Sequence, residues 1–216
     1  MIPERLVLEQ EKNSALIRMH LARYEFAKGF VNGKSVLDVA CGSGYGSAML
    51  KRAGASKVVG IDISSQTIEY AKTHFHDDRI EFVIGDAENL ASYRGFEVAI
   101  SFETIEHLQH PEIFLEEIAL SLAPRGTLII STPHRESGKM FVKHQNPYHI
   151  REWTLEEFKE LLSKHFQVTN IYGQYNFKKK WLPYSRTLQR FVFHTFFPDG
   201  FKALDNYPCA FSTTSI

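Results

Sequence analysis

The chain is short of the features that assign a protein by composition alone. Two cysteines, Cys41 and Cys209, occur in 216 residues, too few for a disulfide framework or a metal quartet. Reduced thiols in a cytoplasmic setting are therefore the expectation. Charge of one sign is not in excess, since 25 basic residues balance 25 acidic ones, which removes the usual ground for a general polyanion binder. The opening Met1-Ile2-Pro3-Glu4-Arg5 does not build the apolar region of a signal peptide. No apolar run approaches the length of a membrane span. Repeats and low-complexity segments are absent. What is left is an apolar fraction of 44%, ordinary for one packed α/β domain with additions.

Short apolar runs then alternate with helical patterns. Residues 14–30 place Ile17, Leu21 and Tyr24 at helical spacing. Strands are expected at Ser35–Val39, Lys57–Ile61, Ile80–Ile84, Phe96–Phe102 and Thr127–Ser131. Helices are expected over about 45–53, from the N-cap Ser64 to about Phe75, and from Pro111 to Leu122. A long polar loop, 132–150, holds His134, His144, Asn146, Pro147 and His149. Thr154-Leu155-Glu156-Glu157 spells a capping box for a helix to about His165. Further strands are expected at Gln167–Tyr172 and Tyr207–Thr213, with an aromatic and basic insertion over 174–206 that includes a helix near 184–197.

Strands of about five residues alternating with helices imply right-handed βαβ units and a mostly parallel sheet. In such a sheet ligands sit beyond the carboxyl ends of the strands. Asp62, Asp86, Glu88 and Glu103 each fall just past a predicted strand. The first strand runs into Cys41-Gly42-Ser43-Gly44-Tyr45-Gly46, a turn in which a backbone without Cβ atoms can approach a ligand and present helix N-terminal N–H groups. Asp62 lies 18 residues after Gly44, where a carboxylate can accept both ribose hydroxyls. Asp86 follows the third strand, where an acid can accept from an adenine amino group.

The series Val36–Gly46, Val59-Gly60-Ile61-Asp62, Gly85-Asp86-Ala87-Glu88 and Ser101-Phe102-Glu103 resembles the class I S-adenosylmethionine-dependent methyltransferases over about residues 30–132. The third glycine comes one residue earlier than in a dinucleotide-binding Gly-x-Gly-x-x-Gly turn. The resemblance implies a three-layer αβα sandwich, with a Rossmann-like, seven-stranded, mostly parallel sheet whose last strand is antiparallel. It implies one domain, in which 1–33 covers a cofactor-binding core at 34–132 and 133–216 supplies the acceptor side. It further implies a cofactor set of Asp38, Ala40, Cys41, Gly42, Gly44, Asp62, Ile63, Asp86, Ala87 and Phe102. In that set Asp38 helps hold the methionine amino group, Asp62 the ribose and Asp86 the adenine. Ala40 stands where the family usually has glycine.

The acceptor side centres on Phe102-Glu103-Thr104-Ile105-Glu106-His107-Leu108. As a helical turn it would put Glu103, Glu106 and His107 on one face. With His149, this Glu-x-x-Glu-His pattern resembles the metal site of small-RNA 3′-terminal 2′-O-methyltransferases, which implies Glu103, Glu106, His107 and His149 as ligands for Mg²⁺ or Mn²⁺. Metal-free relatives carry a similar pair, which leaves Glu103, His107 and His149 as catalytic groups without an ion. The longer set His20–Ala27, Cys41–Ser47, Ser101–His107 and Asn146–Glu152 is similar to small methyltransferases of bacterial polysaccharide pathways, so a sugar hydroxyl, free or carrier-linked, is the leading acceptor. A quinone-precursor hydroxyl and an RNA 2′-hydroxyl are the alternatives. Lys178-Lys179-Lys180 among Tyr175, Phe177, Trp181 and Tyr184 can pair phosphates and stack bases, but the zero net charge favours a solvated turn. A cofactor-binding partner module without turnover is the non-enzymatic alternative.

Overall fold

A computed structural model describes residues 15–135, 147–174 and 201–203. The chain opens with α1 (Ala15–Ala27), continued by a 3₁₀ turn at Lys28–Phe30. It then runs β1 (Ser35–Val39), α2 (Tyr45–Arg52), β2 (Lys57–Asp62), α3 (Ser65–His74), β3 (Ile80–Ile84) and β4 (Phe96–Phe102). A 3₁₀ turn at Ile105–His107 leads to α4 (Pro111–Ser121), β5 (Leu122–Ser131) and α5 (Leu155–Ser163). Two three-residue strands, β6 (Tyr172–Gln174) and β7 (Phe201–Ala203), close the described chain.

Local signals set the helix starts as the sequence predicts. Ser64 Oγ accepts from the Thr67 N–H at 3.3 Å. Thr154 and Glu157 exchange both bonds of the capping box, and Pro111 occupies the first turn of α4. The apolar runs become strands because both sheet faces are covered, which suits parallel strands rich in Val and Ile.

The main sheet has the order β3-β2-β1-β4-β5, every pair parallel. Successive side chains on β1 face opposite ways. Leu37 and Val39 join a core with Phe114, Leu115, Ile118, Leu161 and Leu162 of α4 and α5. Val36 joins the other core, with Tyr24 and Ala27 of α1 and Leu50 of α2. This parity sends Asp38 to the α1–α2 side. The strand order reverses between β1 and β4, so the crevice where such sheets take ligands opens beyond Val39 and Phe102.

The main sheet has five strands among the described residues, and β6 and β7 pair antiparallel in a separate ladder, Tyr172 opposite Ala203. One sequence expectation needs correction. The strand expected at Gln167–Tyr172 begins only at Tyr172. Burial of Phe166 and Asn170 explains the strand-like pattern there, but pairing depends on a partner remote in sequence. The helix near 184–197, the strand at Tyr207–Thr213, the Lys178–Lys180 run, His144, Asn146 and Cys209 lie outside the described residues.

Candidate functional site

The turn after β1 is built on two left-handed residues in tight succession, Ala40 at φ 61° and Gly42 at φ 56°, followed by Gly44 at φ 83°. Ala40 carries the strain of that conformation, which glycine would avoid. A Cβ on Gly42 would meet nothing within 4 Å, so this backbone borders open space at the carboxyl edge. A Cβ on Gly44 would come within 2.7 Å of Ala71 Cβ and 2.8 Å of the Phe82 ring. The two glycines thus do different work: one lines the crevice, the other lets α3 and β3 close beneath it.

Asp62 holds this turn directly. Its Oδ2 accepts from the Gly42 N–H at 3.0 Å and its Oδ1 from the Ser64 N–H at 2.9 Å. Ile63 beside it is 67% exposed. Asp86 is exposed, and its Oδ1 accepts from the Glu88 N–H at 2.9 Å. Ala87 is half-buried. Glu88 in turn accepts from the His110 N–H at 2.7 Å, tying the loop after β3 to the start of α4.

Asp38 is fully buried, and its oxygens accept from Tyr24 Oη at 3.0 Å and Ser47 Oγ at 2.6 Å. Burial pushes its carboxyl up to about 6, opposed by those two hydroxyl bonds and reinforced by the charge of Asp62. Cys41 is also buried, with its thiol pushed up by desolvation. Phe102 packs edge-on to Tyr24, ring centroids 5.1 Å apart.

The acceptor-side turn is not the regular helical turn that the i, i+3, i+4 spacing suggests. Glu103 sits at φ 51°, ahead of the 3₁₀ turn, so its side chain leaves the face that Glu106 and His107 share. It forms an ion pair with Arg23 at 3.1 Å and accepts from Ser131 Oγ at 2.7 Å. Glu106 is fully buried; one oxygen accepts from Thr132 Oγ1 at 3.0 Å, and the other, Oε1, has no hydrogen-bond partner among the described residues and lies 4.0 Å from His107 Nε2. Burial first, and the charge of Glu103 second, push its carboxyl up to about 8.

His149 comes from the loop after β5, which docks here because the Ile150 and Arg151 N–H groups donate to the Glu106 carbonyl at 2.8 and 3.3 Å. One ligand atom each from Glu106, His107 and His149 lie within 4.8 Å of one another. The imidazoles are oriented from behind: His107 Nδ1 donates to the Tyr148 carbonyl at 3.0 Å and His149 Nδ1 to Glu152 Oε1 at 2.6 Å. Each Nε2 therefore carries its ring's lone pair. Three of the four expected metal residues fit a cation on the chemistry of their donors, and Glu103 stands outside them. His134 is exposed and far from this role.

Residues 37–130 match the family model of a methyltransferase domain. That segment, the core of the chain, is a methyltransferase domain. S-adenosylmethionine is the methyl donor of this family. A probable S-adenosylmethionine-dependent methyltransferase of Mycolicibacterium smegmatis is 27% identical over 183 residues, covering 80% of this chain and 67% of that one. A mitochondrial ubiquinone biosynthesis O-methyltransferase of Schizosaccharomyces pombe is 36% identical over 109 residues, covering 48% of this chain and 39% of that one. The chain thus spans less than half the length of that ubiquinone-pathway relative. A putative methyltransferase from Haloferax volcanii, solved in complex with the Trm112 methyltransferase activator, superposes with a TM-score of 0.65 at 20% identity, over 84% of this chain and 82% of that one. A putative methyltransferase from Bacillus halodurans gives 0.63 at 21% identity over 71% of each. At these identities the two structures speak for the shared fold. None of the described helices of the methyltransferase domain is long and apolar enough to cross a membrane.

Sequence reasoning named the residues around the crevice but not those that hold them. Tyr24, Ser47, Arg23, Ser131, Thr132 and Glu152 act from behind the site. The signal for four of them was in view, since Arg23 and Tyr24 lie within the His20–Ala27 run, Ser47 ends the Cys41–Ser47 run and Glu152 ends the Asn146–Glu152 run.

Proposed function

We propose that the chain transfers a methyl group from S-adenosylmethionine to a hydroxyl oxygen of a small acceptor. The observation that carries this is the convergence of Glu106, His107 and His149 beside the same crevice that Gly42 borders. When bound, the donor supplies a methyl carbon on a positively charged sulfur. Attack by the acceptor oxygen forms the O–CH₃ bond, the S–CH₃ bond breaks, and the hydroxyl proton needs a base. His107 or His149 takes it, each with its Nδ1–H anchored so that Nε2 carries the accepting lone pair. The rest of the rate comes from holding oxygen, carbon and sulfur in line. Asp62 holds the glycine turn and offers its carboxylate to the ribose. Ile63 would pack on the adenine, and Asp86 would accept from its amino group.

A divalent ion is the second reading. The observation in its favour is Glu106 Oε1, buried beside two imidazoles without a hydrogen-bond partner among the described residues. Glu106, His107 and His149 would hold Mg²⁺ or Mn²⁺, which would reduce the pKa of the acceptor hydroxyl.

Oxygen as the methylated atom is supported by the relatives named as O-methyltransferases. Their name also favours a ring hydroxyl of a quinone precursor over the sugar hydroxyl that the motif resemblance puts first. The test is a panel of quinone-precursor phenols, sugar nucleotides and small RNAs with labelled S-adenosylmethionine. Phenol methylation supports the reading, sugar methylation restores the first expectation, and transfer to nitrogen or carbon alone refutes O-methylation. Activity abolished by chelator and restored by Mg²⁺ or Mn²⁺ selects the metal. Full activity in chelator, with loss in His149→Ala, selects the imidazole.

A further inference from the structure

Two consecutive side chains of α1 reach two different turns. Arg23 and Tyr24 are both buried, 7% and 5% exposed. Arg23 ends on Glu103, just past β4, and Tyr24 ends on Asp38, near the end of β1. Those strands flank the point where the sheet order reverses, so one dipeptide holds both walls of the crevice. On the donor side Asp38 also accepts from Ser47 in the first turn of α2, which bridges the two ends of the glycine turn. The Tyr24 ring lies so close to Gly46 that a Cβ there would stand 2.0 Å from Cζ. On the other side Glu103 is kept in its left-handed conformation by Arg23, by Ser131 Oγ and by its own N–H donating to the Ser131 carbonyl at 3.1 Å. The Arg23 charge also detains a carboxylate whose field already acts on Glu106.

We infer that Arg23 and Tyr24 form a clasp: Tyr24 is a positioning residue for the methyl donor, and Arg23 is a positioning residue for the turn that carries Glu106 and His107. This rests on the methyltransferase reading of the crevice. The two arms are separable because each ends on its own turn. A helix that only covered the core would influence both turns together, through global stability. The clasp influences them one at a time.

The experiment uses the full chain and S-adenosylhomocysteine, the demethylated donor, so no acceptor is needed. Tyr24→Phe keeps the ring and removes the bond to Asp38; donor-product affinity by calorimetry should fall several-fold, the share of that bond on which the bound turn depends more than the free one. Ser47→Ala, which removes the other bond to Asp38, should act in the same direction. Hydrogen exchange read by mass spectrometry supplies the second readout. Arg23→Met should speed exchange at 103–108 by about fivefold or more while leaving 40–47 unchanged, and Tyr24→Phe should do the reverse. No binding by the unsubstituted protein overturns the methyl-donor reading and the clasp with it. Binding that Tyr24→Phe leaves within about twofold overturns the clasp alone. Uniform acceleration of both turns in both variants also overturns it.

Discussion

Gly46→Ala tests the packing of α1 against the glycine turn without reference to activity. Gly46 is inside α2 and lacks a positive φ, so alanine suits its backbone and should gain about 0.5–1 kcal/mol of helix propensity. Space is the obstacle. The new Cβ would lie 2.0 Å from Tyr24 Cζ, 2.3 Å from Cε1 and 2.5 Å from Cε2, against the ~3.5–4 Å of an ordinary carbon contact. The ring has little freedom to retreat, because Phe102 and Tyr45 pack edge-on to it at 5.1 and 5.6 Å and its hydroxyl is bonded to Asp38. Overpacking costs about 1–3 kcal/mol, and pulling the hydroxyl off the carboxylate adds about 1.5–3 kcal/mol. A net destabilisation of about 2–5 kcal/mol follows after the propensity gain. Urea unfolding followed by circular dichroism measures it. In a Tyr24→Leu background the side chain no longer reaches the clash point, so Gly46→Ala should turn neutral or mildly stabilising. A loss under about 0.5 kcal/mol in the wild type, or an equal loss in both backgrounds, refutes the reasoning, since contacting residues must couple.

Three further predictions follow from named contacts. Asp62→Ala removes the acceptor for the Gly42 and Ser64 N–H groups and should weaken S-adenosylhomocysteine binding by about tenfold or more; unchanged affinity by calorimetry refutes the ribose and turn-holding role. Asp38 has its folded-state carboxyl raised to about 6, so the stability it contributes is fully present below its unfolded value of 3.8 and is lost as pH rises through about 6. That amounts to about 2 kcal/mol between pH 4 and 7 from this group, read as the difference in pH slope between wild type and Asp38→Asn, and equal slopes refute it. Thr154→Ala removes the hydroxyl that accepts from the Glu157 N–H and leaves the Thr154 backbone N–H on Glu157 Oε2; it should cost about 1 kcal/mol in a thermal melt. No change there would mean the exposed end of α5 gains nothing from its cap.

The sequence by itself determined the elements and the donor edge. Five apolar runs, Ser64, Pro111 and the Thr154–Glu157 box are short-range signals, and short-range signals fix strand runs and helix starts. Alternation with helices then leaves a parallel sheet, whose carboxyl edge must carry Gly42, Gly44, Asp62 and Asp86. Only the tertiary structure decided which polar groups face the crevice and which are consumed behind it. Asp38 reads as a ligand residue in the motif, and strand parity sets it against Tyr24 and Ser47, which nothing in its spacing announces. Glu103 shares a helical spacing with Glu106 and His107, yet a single left-handed residue gives it to Arg23. His149 is 42 residues from His107 and meets it at 5.0 Å between ring centroids, because the Glu106 carbonyl captures the returning loop. Spacing along the chain specifies a face within one element. It cannot specify which remote hydroxyl, guanidinium or N–H reaches a carboxylate first, and that competition assigns each acid its role.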